Sequence, residues 1–223
     1  MELVRARKRA AKDEGEPWTA APFVPSNPTL RKLKIAAAGC TDCPLWKGGT
    51  QTVFGEGRPE AKVLFVGEQP GNDEDLAGKP FVGPAGKLLD RCLVEAGIDR
   101  EQVYVTDAVK HFKWEPRGKR RLHKKPNSRE IAACRPWLEA ELSVVKPEII
   151  VALGATAAQT LLGKDFRVTQ HRGKLVASPL APNVLATVHP SSLLRAPDEE
   201  TRHAETAKFI EDLRKIAAII AKL

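Results

Sequence analysis

The sequence predicts an α/β fold of three layers, in which a central, mostly parallel four-stranded sheet is flanked by helices. Two observations predict this fold class. Short continuous apolar runs, typical of strands buried on both faces, alternate along the chain with longer segments of helical spacing. Each run is also followed by a glycine or a polar residue that begins an unusual loop, as expected where parallel strands end at one edge of a sheet.

The strands are predicted from apolar runs at residues 62–66, 103–106, 148–153 and 184–188. The helices are predicted at residues 85–96, 128–145, 155–162 and 199–223, with Asn127 or Ser128 as the N-cap of the second. Cys92 lies on the apolar face of the first helix with Leu88 and Leu89, which indicates a core thiol.

Composition limits the classes of protein to which the chain can belong. Its 223 residues predict one domain at 26–223, preceded by a basic, proline-rich arm at 1–25. The formal net charge of +8 favours a polyanionic partner. The sequence has neither an apolar run of about 18 residues nor a secretory leader, so we expect no membrane span and a cytoplasmic monomer. Four cysteines are too few for a disulfide scaffold and fit a reducing compartment.

The residues that follow the predicted strands are candidates for one functional site. They are Glu68 and Gln69, then Asp107, Gly154 and His189. Ligands of open parallel sheets bind in the crevice at the carboxyl ends of the strands. We therefore expect these residues, distant in sequence, to converge.

Cysteine spacing indicates a second candidate site. Cys40 and Cys43 form a CxxC pair that lies in a predicted loop. Candidates for a second half-site are Cys92, Cys134, His111 and the other histidines. Zinc and iron–sulfur binding are both compatible with this spacing. A redox-active thiol pair is the third interpretation, although Pro44 follows directly and no strand precedes the pair.

Three ordered motifs carry a resemblance to a known family. They are GEQPG at 67–71, GKPFVGPAG at 78–86 and HPSSLLR at 189–195, and they resemble the family 4 uracil-DNA glycosylases from about Cys40 to Leu223. GEQPG, together with the basic segment that ends at His123, is similar to the UdgX-type subgroup. The resemblance implies an enzyme that excises uracil from single- or double-stranded DNA and then remains covalently joined to the deoxyribose C1′.

The resemblance also implies a cofactor and its ligands. Family 4 proteins hold a 4Fe-4S cluster on four cysteines, and the matching positions here are Cys40, Cys43, His111 and Cys134. Histidine at the third position is similar to the UdgX-type proteins. A structural role is expected, because excision of uracil needs no electron transfer.

The family's base pocket implies roles for four residues. Phe81 is expected to stack on uracil, the turn that begins at Gln69 to offer backbone N–H groups, and His189 to stabilise the departing anion near O2. Asp107 stands where the family usually has asparagine. An asparagine amide donates to uracil O4 and accepts from N3–H, whereas an ionised aspartate only accepts, so the choice of base is in doubt.

The resemblance implies that His123 is a nucleophile that captures the sugar, with Glu68 as its partner. Taken without the resemblance, the segment is an exposed basic loop with an incidental histidine. Residues 110–125 hold eight lysines and arginines. We expect the loop cations to bind phosphate and to lower the pKa of His123: Lys119, Arg120 and Arg121, with Lys124 and Lys125.

The last motif is expected to form a loop that contacts DNA through Ser191, Ser192, Leu193 and Arg195. Leu193 or Leu194 is expected to wedge into the base stack. Three other functions remain open: a conventional glycosylase that uses water, a non-catalytic DNA-binding iron–sulfur protein, and a thiol redox protein that uses Cys40 and Cys43.

Overall fold

The computed structural model describes residues 17–223, and residues 1–16 of the predicted arm lie outside the described part. Residues 17–25 of that arm pack against the domain. The backbone N–H of Ala20 donates to the carbonyl of Ala133 at 2.8 Å. The Arg129 guanidinium lies 3.9 Å from the centre of the Trp18 ring. The packed unit therefore begins before residue 26.

Strands and helices alternate as the hydrophobic pattern predicts. The strands are β1 (Val63–Gly67), β2 (Val103–Asp107), β3 (Trp114–Arg117), β4 (Arg120–His123), β5 (Ile149–Leu153), β6 (Leu175–Val176) and β7 (Asn183–Thr187). The helices are α1 (Leu30–Ala37), α2 (Asn72–Ala77), α3 (Pro84–Ala96), α4 (Ser128–Val145), α5 (Gly154–Leu162), α6 (Val168–His171), α7 (Pro190–Leu194) and α8 (Glu199–Ile220). Asn127 is the N-cap of α4, where its side chain accepts from the backbone N–H of Glu130.

The main sheet has five strands in the order β2-β1-β5-β7-β6, so the prediction of four strands was one short. The four predicted strands are all parallel, whereas β6 pairs antiparallel with β7 at the edge. β6 has only two residues, Leu175 and Val176, and a run that short gives no period in the sequence.

Alternate residues of the strands enter two separate cores, which makes the fold three-layered. Phe65 of β1 packs on the face covered by α3 and α8, together with Cys92, whose predicted core position is confirmed. Leu64 and Val66 pack on the opposite face, against α4 and α5. All five residues of β1 are buried, as expected of a central parallel strand.

The basic segment predicted as a loop is instead an antiparallel hairpin of β3 and β4. Trp114 pairs with His123 at the base of the hairpin, and Arg117 pairs with Arg120 beside the turn at Gly118 and Lys119. The strands could not be predicted because the segment is rich in charged residues, whereas β propensity scales favour apolar and aromatic residues.

A buried ion pair joins β2 to α4. The Glu141 carboxylate accepts from Lys110 Nζ, from Tyr104 Oη at 2.9 Å and from Thr106 Oγ1 at 2.9 Å. Lys110 Nζ also donates to the backbone carbonyl of Asp107 at 2.7 Å. Lys110 is 1% exposed, so this member of the basic segment is unavailable to DNA.

We expect Lys110→Met to lower the free energy of unfolding by about 3–5 kcal/mol, because it leaves the Glu141 carboxylate buried without its cation. Urea denaturation measures this change. The double variant Lys110→Met/Glu141→Leu is expected to recover part of the loss, since neither charge remains buried. A loss under 1 kcal/mol in the single variant would contradict a structural role of the pair.

Candidate active site

A cavity of about 540 Å³ opens at the carboxyl ends of the parallel strands, where the loops were expected to converge. It brings together ten residues that the sequence singled out: Glu68, Gln69, Phe81, Asp107, His123, Lys125, Gly154, His189, Ser191 and Arg195. Glu74 and Thr156, to which the sequence assigned no role, also line the cavity. Thr156 lies in the GAT segment at the start of α5, directly after β5, so its position after a strand was the available signal.

Glu68 and His123 meet at the cavity although 55 residues of sequence separate them. The Glu68 Oε1 atom lies 3.4 Å from His123 Nε2. The other carboxylate oxygen accepts a hydrogen bond from Thr156 Oγ1. Thr156 therefore fixes the carboxylate, and the carboxylate faces the imidazole.

The Gln69 side chain holds the base of the hairpin that carries His123. Its Nε2 donates to the carbonyls of Lys113 and Lys124 at 3.0 and 3.2 Å, and its Oε1 accepts from the Lys113 backbone N–H at 3.2 Å. The expected contact of this residue with uracil is therefore limited to its backbone, because the amide is occupied by the hairpin.

Arg121 fixes the outer part of the same hairpin. Its guanidinium bonds Asp75 Oδ2 at 2.6 Å and Asn72 Oδ1 at 2.9 Å. It also lies over the rings of Phe112 and Trp114, at 5.4 and 5.5 Å from their centres. Its charge is matched by a buried aspartate, so Arg121 braces the hairpin, and its contact with DNA stays a prediction. Lys119 and Arg120 remain exposed beside the turn, outside the cavity.

Burial lowers the pKa of His123, with a further lowering by Arg195, while Glu68 opposes the shift. The direction agrees with the expectation, but the cause differs. The lowering comes from burial and Arg195 rather than from the predicted cations. One of those cations, Lys124, is paired with Glu115 at 2.9 Å. The ring is therefore neutral at pH 7 and has a free lone pair.

His189 is oriented by the start of α7. Its Nδ1 accepts from the Ser191 backbone N–H at 3.1 Å and lies 2.8 Å from Ser191 Oγ. Burial lowers its pKa to about 4, so the ring is neutral. A neutral ring that accepts at Nδ1 carries its proton at Nε2, which leaves one N–H to donate within the cavity.

Phe81 lines the cavity with its ring 6.2 Å from that of His189, at an interplanar angle of 31°. Its φ of 55° is unusual for a bulky residue and requires support from its surroundings. Gly86 contributes to this support by allowing a close approach, because a Cβ there would overlap the Phe81 backbone. Glu74 ties the two flanking loops together, since it accepts from the N–H groups of Gly71 and Gly83 at 3.1 and 2.7 Å.

Asp107 is 4% exposed at the inner end of the cavity. Burial raises the pKa of its carboxyl to about 8, although Lys110 acts in the opposite direction. The Asp107 carboxyl is therefore mostly protonated at pH 7, which bears on the doubt raised by its replacement of asparagine.

The cysteines of the CxxC pair and Cys134 lie in one buried cluster, and each is less than 10% exposed. Burial raises the pKa of Cys43 to about 11 and that of Cys134 to about 12. Buried thiols of this kind are unreactive, which argues against a redox pair. In residues 17–223 no group of three or more His, Cys, Asp or Glu side chains stands close enough to hold a metal ion without rearrangement.

His111 lies beside this region and is also buried. Its Nε2 is 2.9 Å from Thr52 Oγ1, and burial lowers its pKa to about 4. The donor set, three thiols and a neutral imidazole, fits an iron–sulfur cluster in type and burial, since such clusters are held by cysteine thiolates with histidine as an occasional ligand.

The last motif forms the short helix α7 rather than the predicted loop. Leu193 is 2% exposed and belongs to the core under α3 and α8, whereas Leu194 is 39% exposed. Of the two leucines offered as a wedge, only Leu194 reaches the surface. Ser191 and Arg195 line the cavity, and Ser192 lies outside it, where its Oγ donates to the His189 carbonyl at 2.7 Å.

No helix of the described chain is long and apolar enough to cross a membrane. Comparison with known proteins identifies the family. A profile of the uracil DNA glycosylase superfamily matches residues 54–214. The chain is 41% identical over 184 residues to the type-4 uracil-DNA glycosylase of Thermotoga maritima, covering 82% of this chain and 90% of that protein.

A similar relative is the type-4 uracil-DNA glycosylase of Sulfurisphaera tokodaii, which is 37% identical over 83% of this chain and 84% of its own length. The type-5 uracil-DNA glycosylase of Thermus thermophilus is 33% identical over 66% of this chain and 71% of its own length. The residues that the profile matches include the cavity lining, both histidine-bearing motifs and the parallel strands of the sheet. The chain belongs to the uracil DNA glycosylase superfamily.

Proposed function

We propose that this protein excises uracil from DNA and is then trapped by a covalent bond from His123 to the deoxyribose C1′, as in the UdgX-type subgroup. The observation that carries the proposal is the meeting of Glu68 and His123, 3.4 Å apart, at the mouth of a cavity that also contains Phe81 and His189. A cavity of about 540 Å³ has room for a flipped pyrimidine and part of its sugar.

The reaction begins when the C1′–N1 bond breaks and its electron pair leaves with uracil. The Nε2–H of His189 stabilises the charge that develops at uracil O2. Phe81 holds the base by stacking, and the Glu68 carboxylate stabilises the sugar cation. These are the roles that the family motifs imply for the residues that line the cavity.

The imidazole of His123 then supplies the lone pair that forms the new bond to C1′. The neutral ring has that lone pair available, because burial lowers its pKa. The remaining ring proton is lost to solvent and uracil takes up one proton, so the step is balanced. The hairpin contacts of Gln69 and Arg121 hold the nucleophile in place, and no water molecule is needed for capture.

We further propose that Cys40, Cys43 and Cys134 hold a 4Fe-4S cluster, with His111 as the fourth ligand. Their burial in one cluster and the neutral state of the imidazole support this assignment. When bound, the cluster would cross-link the segment before β1 to α4, because its proposed ligands come from both. Excision itself depends on the residues of the cavity.

Substitution of the nucleophile tests the covalent step. We expect the purified protein, mixed with a uracil-containing single-stranded oligonucleotide, to give a slowly migrating band in a denaturing gel that survives SDS and heat. His123→Ser is expected to abolish the band, since serine is a far weaker nucleophile without a base. His203→Ser removes another exposed histidine, on α8, and should leave the band intact.

The gel separates the competing functions. Release of uracil without a band would indicate a conventional water-using enzyme. If neither uracil nor a band appears and the oligonucleotide still binds, the protein is a non-catalytic DNA-binding protein.

Removal of a buried thiol tests the cofactor. Cys134→Ser is expected to lose the brown colour and the bound iron, and to lower the melting temperature. Cys92→Ser replaces a buried thiol in the other core and should keep both iron and colour. Elemental analysis that finds zinc in the wild type, or equal loss of iron in the two variants, would contradict the assignment.

Alanine substitution of the two leucines of α7 is expected to affect different properties: activity on duplex DNA for the exposed one, stability for the buried one. Leu194→Ala should leave stability within about 0.5 kcal/mol of wild type, because the side chain is exposed. It should slow excision from duplex DNA more than from single strands, since only the duplex stack must be opened. Leu193→Ala should lower the free energy of unfolding by about 2–5 kcal/mol. Equal effects of Leu194→Ala on both substrates would rule out a wedge.

A further inference from the structure

Asp107 is a buried polar side chain with no protein partner. It is 4% exposed, and within residues 17–223 its carboxyl makes no hydrogen bond, although its backbone carbonyl accepts from Lys110. The carboxyl lies next to Gly67, where a Cβ would overlap one of its oxygens and would stand 3.0 Å from the tip of the Phe81 ring. The unpartnered carboxyl and the proposed stacking ring are therefore neighbours at the inner end of one cavity.

The charged groups around Asp107 are mostly anionic. Carboxylates face it from the end of β1, from α2 and from α4, and one cation faces it from the segment after β2; these are Glu68, Glu74, Glu141 and Lys110. Lys110 is already paired with Glu141. The other ionisable groups that line the cavity are His123, Lys125, His189 and Arg195. An ionised Asp107 carboxylate would therefore be buried among like charges without a hydrogen bond.

We propose that Asp107 reads the Watson–Crick edge of uracil as a neutral carboxylic acid, donating its O–H to O4 and accepting from N3–H. This inference rests on the proposed function and assigns the residue that determines base recognition within it. A protonated carboxyl has one donor and one acceptor oxygen, the same pair that an asparagine amide offers. Its ordinary drawback as a donor, ionisation at neutral pH, is removed by burial among carboxylates.

The consequence is a loss of base recognition in alkaline solution. The pKa of Asp107 is raised to about 8, so at pH 9 only about one tenth of the protein has the donor. Burial lowers the pKa of His189 and that of His123, so both histidines titrate on the acid side. The alkaline limb of the pH profile is therefore assigned to Asp107.

Asp107→Asn tests the inference, because the amide has the same two functions and does not ionise. We expect the ratio of single-turnover excision rates, variant to wild type, to rise about tenfold between pH 6 and pH 9. Ionisation of uracil itself affects both proteins and cancels in the ratio. Asp165→Asn, which removes an exposed carboxylate outside the cavity, should give a ratio independent of pH.

Thermal denaturation tests the same inference without any activity. Between the ordinary pKa of an aspartate and the raised pKa of Asp107, the folded protein binds one proton that the unfolded chain does not. The free energy of unfolding of the wild type therefore falls as pH rises through this window. That of Asp107→Asn does not, because the amide does not ionise. The difference in melting temperature between variant and wild type is expected to grow from pH 5 to pH 8.

The two measurements separate failure of this inference from failure of the proposed function. Excision with a flat rate ratio and a constant melting difference would overturn the neutral carboxyl and leave the glycosylase intact. A growing melting difference without excision at any pH would overturn the proposed function, and with it the recognition of uracil. A rising rate ratio together with a growing melting difference supports the inference.

Discussion

The buried pair of Lys110 and Glu141 is the interaction on which the other parts of this molecule depend. It joins the end of β2 to α4 within the interior, and its cation also bonds the backbone of Asp107. The backbone N–H of Lys110 donates to the sulfur of Cys134 at 3.2 Å. One residue, Lys110, thus contacts both the Asp107 backbone and the buried cysteines. A buried ion pair gives little net stability but strongly disfavours alternative packings in which either charge is alone.

Two kinds of structure position the site: the strands of the sheets, and polar side chains that hold the loops between them. Parallel strands bring Glu68 and His189 to one edge, the hairpin brings His123 to the same cavity, and neighbouring polar residues hold each of them by hydrogen bonds. Thr156 fixes the Glu68 carboxylate, Ser191 fixes the His189 ring, and Gln69 fixes the hairpin of His123. Preorganisation of this kind matters because charge develops at both the base and the sugar in the transition state.

Much of this arrangement was predictable from the sequence, for identifiable reasons. Buried parallel strands read as continuous apolar runs, so the four long strands and the convergence of the loops that follow them were predicted. The two-residue strand β6 has no period to detect, and the strands β3 and β4 are masked by charge. Composition also cannot distinguish a cation that meets a buried carboxylate, as Lys110 and Arg121 do, from one that meets solvent. The partner of each cation is a property of the fold alone.

The hairpin of β3 and β4 shares no backbone pairing with the main sheet, and its contacts to the cavity come from side chains such as Gln69 and Arg121. The proposed nucleophile is therefore carried by the hairpin rather than by the main sheet. We expect that such a hairpin can be gained or lost in evolution without a change in the pocket proposed to bind the base.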